Sequence, residues 1–81
     1  MFVVYALSSL RRNYIYVGLT ENIERRIPQH NKGYNKSTKA YTPFVLLYKK
    51  SFKTRLEARA YEKYLKSGSG KEFLRSLREK K

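Results

Sequence analysis

Two tyrosines, an arginine and a carboxylate stand in the frame Tyr5 … Tyr16-Val17-Gly18 … Arg26-Ile27 … His30 … Glu62. These side chains are a usable set for hydrolysing a phosphodiester. A tyrosine can handle the proton of an attacking water, and the arginine can neutralise charge on the phosphate. The carboxylate can hold one divalent metal, and the histidine titrates near neutral pH, where it could relay a proton. The chain carries 19 Lys and Arg against 6 Asp and Glu, a net charge of +13, which points to a polyanionic substrate.

Each residue also has a plainer reading. Tyrosine is common in strands, and an arginine in so basic a chain is usually a solvated one. Glu57 lies three residues after Thr54 and is explained as half of a helix-capping box. Glu62 has no such role. Arg59 and Lys66 flank it at helical spacing, so an ordinary helical ion pair and a metal ligand are both open to it. Gly18, two residues after Tyr16, leaves room for close approach at a strand's end.

The elements that must position these groups can be read from periodicity. Residues 2–7 and 14–19 alternate like strands, and a polar turn, Ser8 to Asn13, separates them. A symmetric hairpin pairs Leu7 with Tyr14 and Tyr5 with Tyr16, side by side on one face. Thr20 is a fair N-cap for a helix over about 21–31. Ile23 and Ile27 face its core side, and Arg26 and His30 form a neighbouring stripe. Pro28 interrupts that helix. A polar basic loop follows over 32–43, and a third strand runs from Phe44 to Phe52. Thr54 opens a second helix with Leu56, Ala60 and Tyr64 in one row and Tyr61 and Leu65 beside them. The run Ser67 to Gly70 stops it, and a third helix begins at about 71 with Phe73, Leu74 and Leu77 inward.

Length and composition set further bounds. Eighty-one residues make one domain, 1–81, with 78–81 expected to fray. The core is small, and eight Tyr and four Phe supply much of its area. The chain has no cysteine and a single histidine, so a metal must be held mainly by oxygen, which favours Mg²⁺ or Mn²⁺ over Zn²⁺. No apolar run approaches the roughly 18 residues of a membrane helix, and no signal peptide is evident, so a cytoplasmic protein is expected.

With these residues in place, the chain resembles the GIY-YIG nuclease superfamily, in particular its small free-standing bacterial members of excision-repair-nuclease type. Val3-Val4-Tyr5 stands for the first motif and Tyr16-Val17-Gly18 for the second, with valine in place of a glycine and an isoleucine. Asn22 to Ile27 with His30-Asn31 is similar to the first-helix pattern. Glu57-Ala58 … Glu62 … Leu65-Lys66 is similar to the segment that carries the metal-binding glutamate. The resemblance implies an α+β fold (α/β in the broad sense), a small three-stranded antiparallel sheet flanked by helices in the order β-β-α-β-α-α. It implies a metal-dependent endonuclease acting on DNA, branched or single-stranded, in repair or processing. Tyr5, Tyr16, Arg26, His30 and Glu62 would be catalytic, and Glu62 would hold Mg²⁺ or Mn²⁺. Lys32, Lys36, Lys39, Lys49 and Lys50 would follow the backbone, with Tyr34 or Tyr41 free to stack on a base. Which tyrosine acts as base stays open. The competing expectation is a nucleic-acid-binding module, or a basic structural protein, without chemistry.

Overall fold

A computed structural model describes residues 1–33 and 38–80. Its elements are β1 (Phe2–Ser9), β2 (Ile15–Thr20), α1 (Ile23–Asn31), a 3-10 turn (Lys39–Tyr41), β3 (Phe44–Phe52), α2 (Arg55–Leu65) and α3 (Gly68–Glu79). This is the expected order. The strands form one antiparallel sheet with β1 in the middle, in the order β2-β1-β3.

Strand alternation divides the sheet into two apolar faces. Tyr5, Leu7 and Phe44 lie on one, with Tyr14, Tyr16 and Leu46, and α1 covers them with Ile23 and Ile27. Val4, Ala6, Val17 and Leu47 lie on the other, against Ala58 and Leu65 of α2 and Leu74 of α3.

The hairpin register differs from the symmetric one by two residues. Tyr5 pairs with Gly18 and Leu7 with Tyr16. Ser8 and Ser9, expected in the turn, extend β1 instead. The Ser9 hydroxyl accepts from the amides of Arg11 and Arg12 at 3.2 and 3.1 Å, which folds the turn, and donates to the Tyr41 carbonyl at 2.6 Å. A shift of two preserves the parity of the strand, so Tyr5 and Tyr16 still share a face, now as diagonal neighbours. A bulge in β3 leaves Leu47 between the pairs Ala6–Tyr48 and Leu7–Leu46. It sends Phe44 and Leu46 to the α1 face, and Tyr48 and Phe52 to the α2–α3 face.

Each of the three helices departs from its expected reading. The cap of α1 is Asn22, whose side chain accepts from the Arg25 amide at 3.1 Å; Thr20 is bound to Asn22 and lies outside the helix. Pro28 sits on an exposed side, and the helix runs past it to Asn31. In α2 the buried row is Ala58, Glu62 and Leu65, while Leu56 is 82% exposed. Two apolar rows at helical spacing compete in this sequence, and the covering sheet decides between them. The third helix begins at Gly68 rather than 71, capped by the Ser67 side chain on the Gly70 amide. It continues through Arg78 and Glu79, in the stretch expected to fray. Phe73 is not inward: it is partly exposed at the rim, edge-on to Tyr48 at 5.2 Å.

Gly70 is buried where α3 turns onto the end of α2. A Cβ there would strike the Tyr64 carbonyl and the Leu65 backbone. Alanine favours a helix over glycine by about 1 kcal/mol, but backbone on backbone cannot move aside cheaply, and overpacking costs about 1–3 kcal/mol. The clash should win. Gly70→Ala is expected to lower the urea midpoint, and an unchanged or higher midpoint would contradict this packing.

Candidate active site

The core of the site is a chain of polar contacts anchored on Tyr5. Its ring lies directly over its cross-strand partner Gly18. A Cβ on that glycine would come within 2.6 Å of the Tyr5 hydroxyl and 2.9 Å of the Tyr16 ring. Only glycine leaves the phenol its place. Arg26 and His30, one turn apart on α1, both reach the same hydroxyl. His30 Nε2 is 3.0 Å from the Tyr5 oxygen, and Arg26 Nε donates to it at 3.4 Å. On its other side, His30 Nδ1 is 3.2 Å from the hydroxyl of Thr38. Tyr5, His30 and Thr38 are all buried.

Tyr16 completes the group from β2. Its ring centroid is 4.7 Å from that of His30 and 6.2 Å from that of Tyr5. Arg26 also donates Nη1 to Gln29 at 3.3 Å. The end of α1 is pinned to the start of β3 by a pair of hydrogen bonds. Asn31 donates to the Phe44 carbonyl at 3.2 Å and accepts from the Phe44 amide at 2.6 Å.

The electrostatics follow from burial and charge. Burial pushes the Tyr5 phenol above the usual tyrosine range; its bond to Arg26 opposes this, and the neighbouring Tyr16 adds to it. The bond to Tyr5 raises Arg26, partly offset by its own burial. Burial lowers His30, and the Arg26 charge lowers it further. A lowered imidazole is neutral at pH 7. Arg26 can only donate, so the Tyr5 oxygen accepts from it. With the His30 proton on Nδ1, facing Thr38, the Tyr5 hydroxyl can donate to Nε2; with the proton on Nε2 the direction reverses. The result is a connected chain of polar contacts, Arg26 to Tyr5 to His30 to Thr38.

Glu62 belongs to a different group. It lies on the sheet-facing row of α2, largely buried, on the face of the sheet opposite Tyr5. Its Oε1 faces Arg59 at 3.6 Å and its Oε2 faces Lys66 at 3.3 Å, both on its own helix. Among the described residues no three His, Cys, Asp or Glu side chains gather as an all-protein metal site. A lone carboxylate suits Mg²⁺, which keeps most of its waters and takes its other oxygens from substrate phosphate. The side chains of Arg59 and Lys66 are more than half exposed, so both can swing away from the carboxylate. The donor set therefore fits one hard divalent cation, completed by water and phosphate.

The lysines are scattered. Lys49 pairs with Tyr5 across the sheet and so shares its face. Lys50 is turned to the other face, over the Tyr61 ring at 5.0 Å. Lys32 caps the end of α1, and Lys39 lies in the 3-10 turn. Lys36 and Tyr34 lie outside the described residues. Tyr41 is stacked on Tyr14 at 4.0 Å with Arg12 over its ring, so that face of it is occupied. Thr38 carries no sequence signal of a role in the site, because nothing in its spacing to His30 is periodic; Asn31 is visible only as part of the first-helix resemblance, which does not show its bond to Phe44.

The comparisons with known proteins bear on the family and the fold. The model of the GIY-YIG catalytic domain matches residues 1–75. A UPF0213 protein of Bacillus licheniformis is 40% identical over 74 residues, covering 90% of this chain and 76% of that protein. A UPF0213 protein of Staphylococcus haemolyticus is 38% identical over 69 residues, covering 84% of each. The solution NMR structure of a UPF0213 protein from Bacillus halodurans superposes with a TM-score of 0.56 at 34% identity. It covers 95% of this chain and 85% of that one. No helix among the described residues is long and apolar enough to cross a membrane.

Proposed function

The chain belongs to the GIY-YIG family, and from that premise we propose that it is a metal-dependent endonuclease hydrolysing DNA phosphodiester bonds. The family is one of nucleases, so nucleic acid is its substrate class. The observation that carries the reading is the buried relay on Tyr5: a phenol held between a guanidinium and a neutral imidazole. A buried relay of this kind is a costly way to fill a core and an apt way to move a proton.

The Tyr5 oxygen takes a proton from the attacking water as the Tyr5 hydrogen passes to His30 Nε2. This step uses the His30 tautomer with its proton on Nδ1, where the 3.2 Å contact with Thr38 holds the ring so that Nε2 faces Tyr5. Arg26 has five N–H donors, of which its bonds to Tyr5 and Gln29 use two. The remaining donors stabilise the charge that builds on the phosphate oxygens, an effect worth roughly 3–4 kcal/mol for one preorganised donor. Glu62 would hold the divalent ion, which when bound supplies Lewis-acid stabilisation of the phosphate and the leaving oxygen. DNA repair or processing is the setting that fits such an activity.

The test is a cleavage assay on supercoiled, branched and single-stranded DNA with Mg²⁺, with Mn²⁺ or with EDTA. Cleavage with metal and none with EDTA is expected. Retardation on a gel without cutting under every condition would replace this reading with that of a binding module.

A further inference from the structure

An elongated groove of about 520 Å³ runs along the free edge of β2, between that strand and α3. Its floor is apolar, formed by Ile15, Val17, Leu65 and Leu74. One wall carries Tyr14 and Tyr16, with one face of the Tyr14 ring stacked on Tyr41. The other carries Lys66, Lys71, Arg75 and Arg78, and no acidic residue lines it. We propose that this groove binds one unpaired DNA strand and delivers it to Tyr16.

Four observations converge on that occupant. First, α3 is partitioned lengthwise. Gly70, Leu74 and Leu77 face the core, and Lys71, Arg75 and Arg78 line the groove. Its two acids, Glu72 and Glu79, are seven apart in a separate row off the groove. A helix that merely needed solubility would mix its signs on the solvent side. The three groove cations instead extend over about 10 Å of helix at 1.5 Å per residue, a rail long enough for successive phosphates.

Second, among the described residues Lys71, Arg75 and Arg78 enter no ion pair, so their charge is not already neutralised. Third, the aromatic wall and apolar floor suit exposed base faces, which a duplex hides within its stack. Fourth, Tyr16 belongs both to the groove and to the Tyr5–His30 group. A strand lying in the groove therefore passes a residue that packs on the Tyr5–His30 group. These cations are also distinct from the loop and β3 lysines singled out in the sequence.

The inference rests on the nuclease reading for its purpose and not for its test. Binding is measured by fluorescence anisotropy in EDTA, with a labelled dT oligonucleotide of twelve residues and a hairpin duplex of equal charge. The single strand should bind more tightly than the duplex. In Lys71→Gln/Arg75→Gln/Arg78→Gln its affinity should fall roughly ten- to a hundredfold at 0.1 M salt, and the slope of log affinity against log salt should shrink by about 2. Glu72→Gln/Glu79→Gln should bind at least as well as wild type.

A titration of the unmodified protein read by NMR needs no variant: Tyr14, Tyr16 and Leu74 should shift together on adding the oligonucleotide. Equal binding by wild type and the triple variant would overturn the proposal. So would tighter binding of the duplex, or shifts confined to residues outside the groove. Because EDTA suppresses cleavage, these results are independent of the nuclease reading. That reading fails instead if metal produces no cleavage of a strand the groove demonstrably holds.

Discussion

Glu62→Ala is expected to lose metal-dependent cleavage by on the order of 10³-fold or more, since a catalytic ion supplies several kcal/mol of transition-state stabilisation. Binding should survive. The substitution removes a negative charge from a basic surface and frees Lys66, which lines the groove, from its bond to Oε2. The exposed partners left behind cost little, but the Glu62 side chain itself is buried, so its truncation is expected to lower the urea midpoint, read separately from cleavage. Glu57→Ala is the matched control. Thr54 accepts from the Glu57 amide at 3.2 Å and donates to its carboxylate at 2.9 Å, so this acid serves the start of α2. Its loss should cost about 0.3–1 kcal/mol in denaturation and leave the cleavage rate alone. Cleavage, binding and urea midpoint measured on both variants separate the roles. If Glu62→Ala cuts as fast as wild type, the carboxylate is only a helical salt bridge.

How much of this site was legible depended on which force set each position. Arg26 and His30 could be placed on one stripe because helical spacing is local and survives a proline on the exposed side. The tyrosine pair was legible only up to parity. Alternation put Tyr5 and Tyr16 on one face, but their register depended on whether Ser8 and Ser9 belonged to the turn or the strand. The Ser9–Tyr41 bond that favours the strand spans 32 residues and leaves no local trace. Gly18 was correctly read as a point of close approach, but the approaching group, the Tyr5 ring, is revealed only by that register.

The same reasoning explains the α2 error. Leu56, Ala60 and Tyr64 form a plausible apolar row, yet Ala58, Glu62 and Leu65 are buried. Local pattern cannot rank two rows when one of them includes a glutamate, since the usual rule puts acids outside. Here Glu62 is enclosed with both oxygens facing cations, the arrangement in which a buried carboxylate is tolerated. The flanking Arg59 and Lys66 were readable; the burial was not. The placement of α3 has a similar origin. Ser67 to Gly70 reads as a stop, and it is also a start, because the glycine is there to let two helices touch.

Tyr5 and Tyr16 look equivalent in the sequence, and the structure distinguishes them. Tyr5 is buried and its hydroxyl meets both Arg26 and His30, whereas Tyr16 is half-buried, packs its ring on His30 and interacts with Tyr5 and Arg26 from the more open side. Tyr5→Phe keeps the ring over Gly18 and removes only the hydroxyl. It is expected to slow cleavage by roughly 10²–10⁴-fold, the range of a lost general acid–base group. It also leaves His30 Nε2 buried without a partner, a cost of about 1–3 kcal/mol in stability that denaturation would read separately. Tyr16→Phe should slow cleavage less. The pH profile adds a second criterion. The relay needs His30 neutral, and burial with the Arg26 charge holds it below its ordinary 6.5. The acid limb of the wild-type rate should therefore fall at a pH below 6.5, with full activity kept at 7. Arg26→Ala removes the charge that contributes to this lowering, so any residual activity should show that limb moved upward. A wild-type limb at or above 6.5, or a Tyr5→Phe variant as fast as wild type beside an inactive Tyr16→Phe, would move the proton transfer from the buried phenol to the half-exposed one.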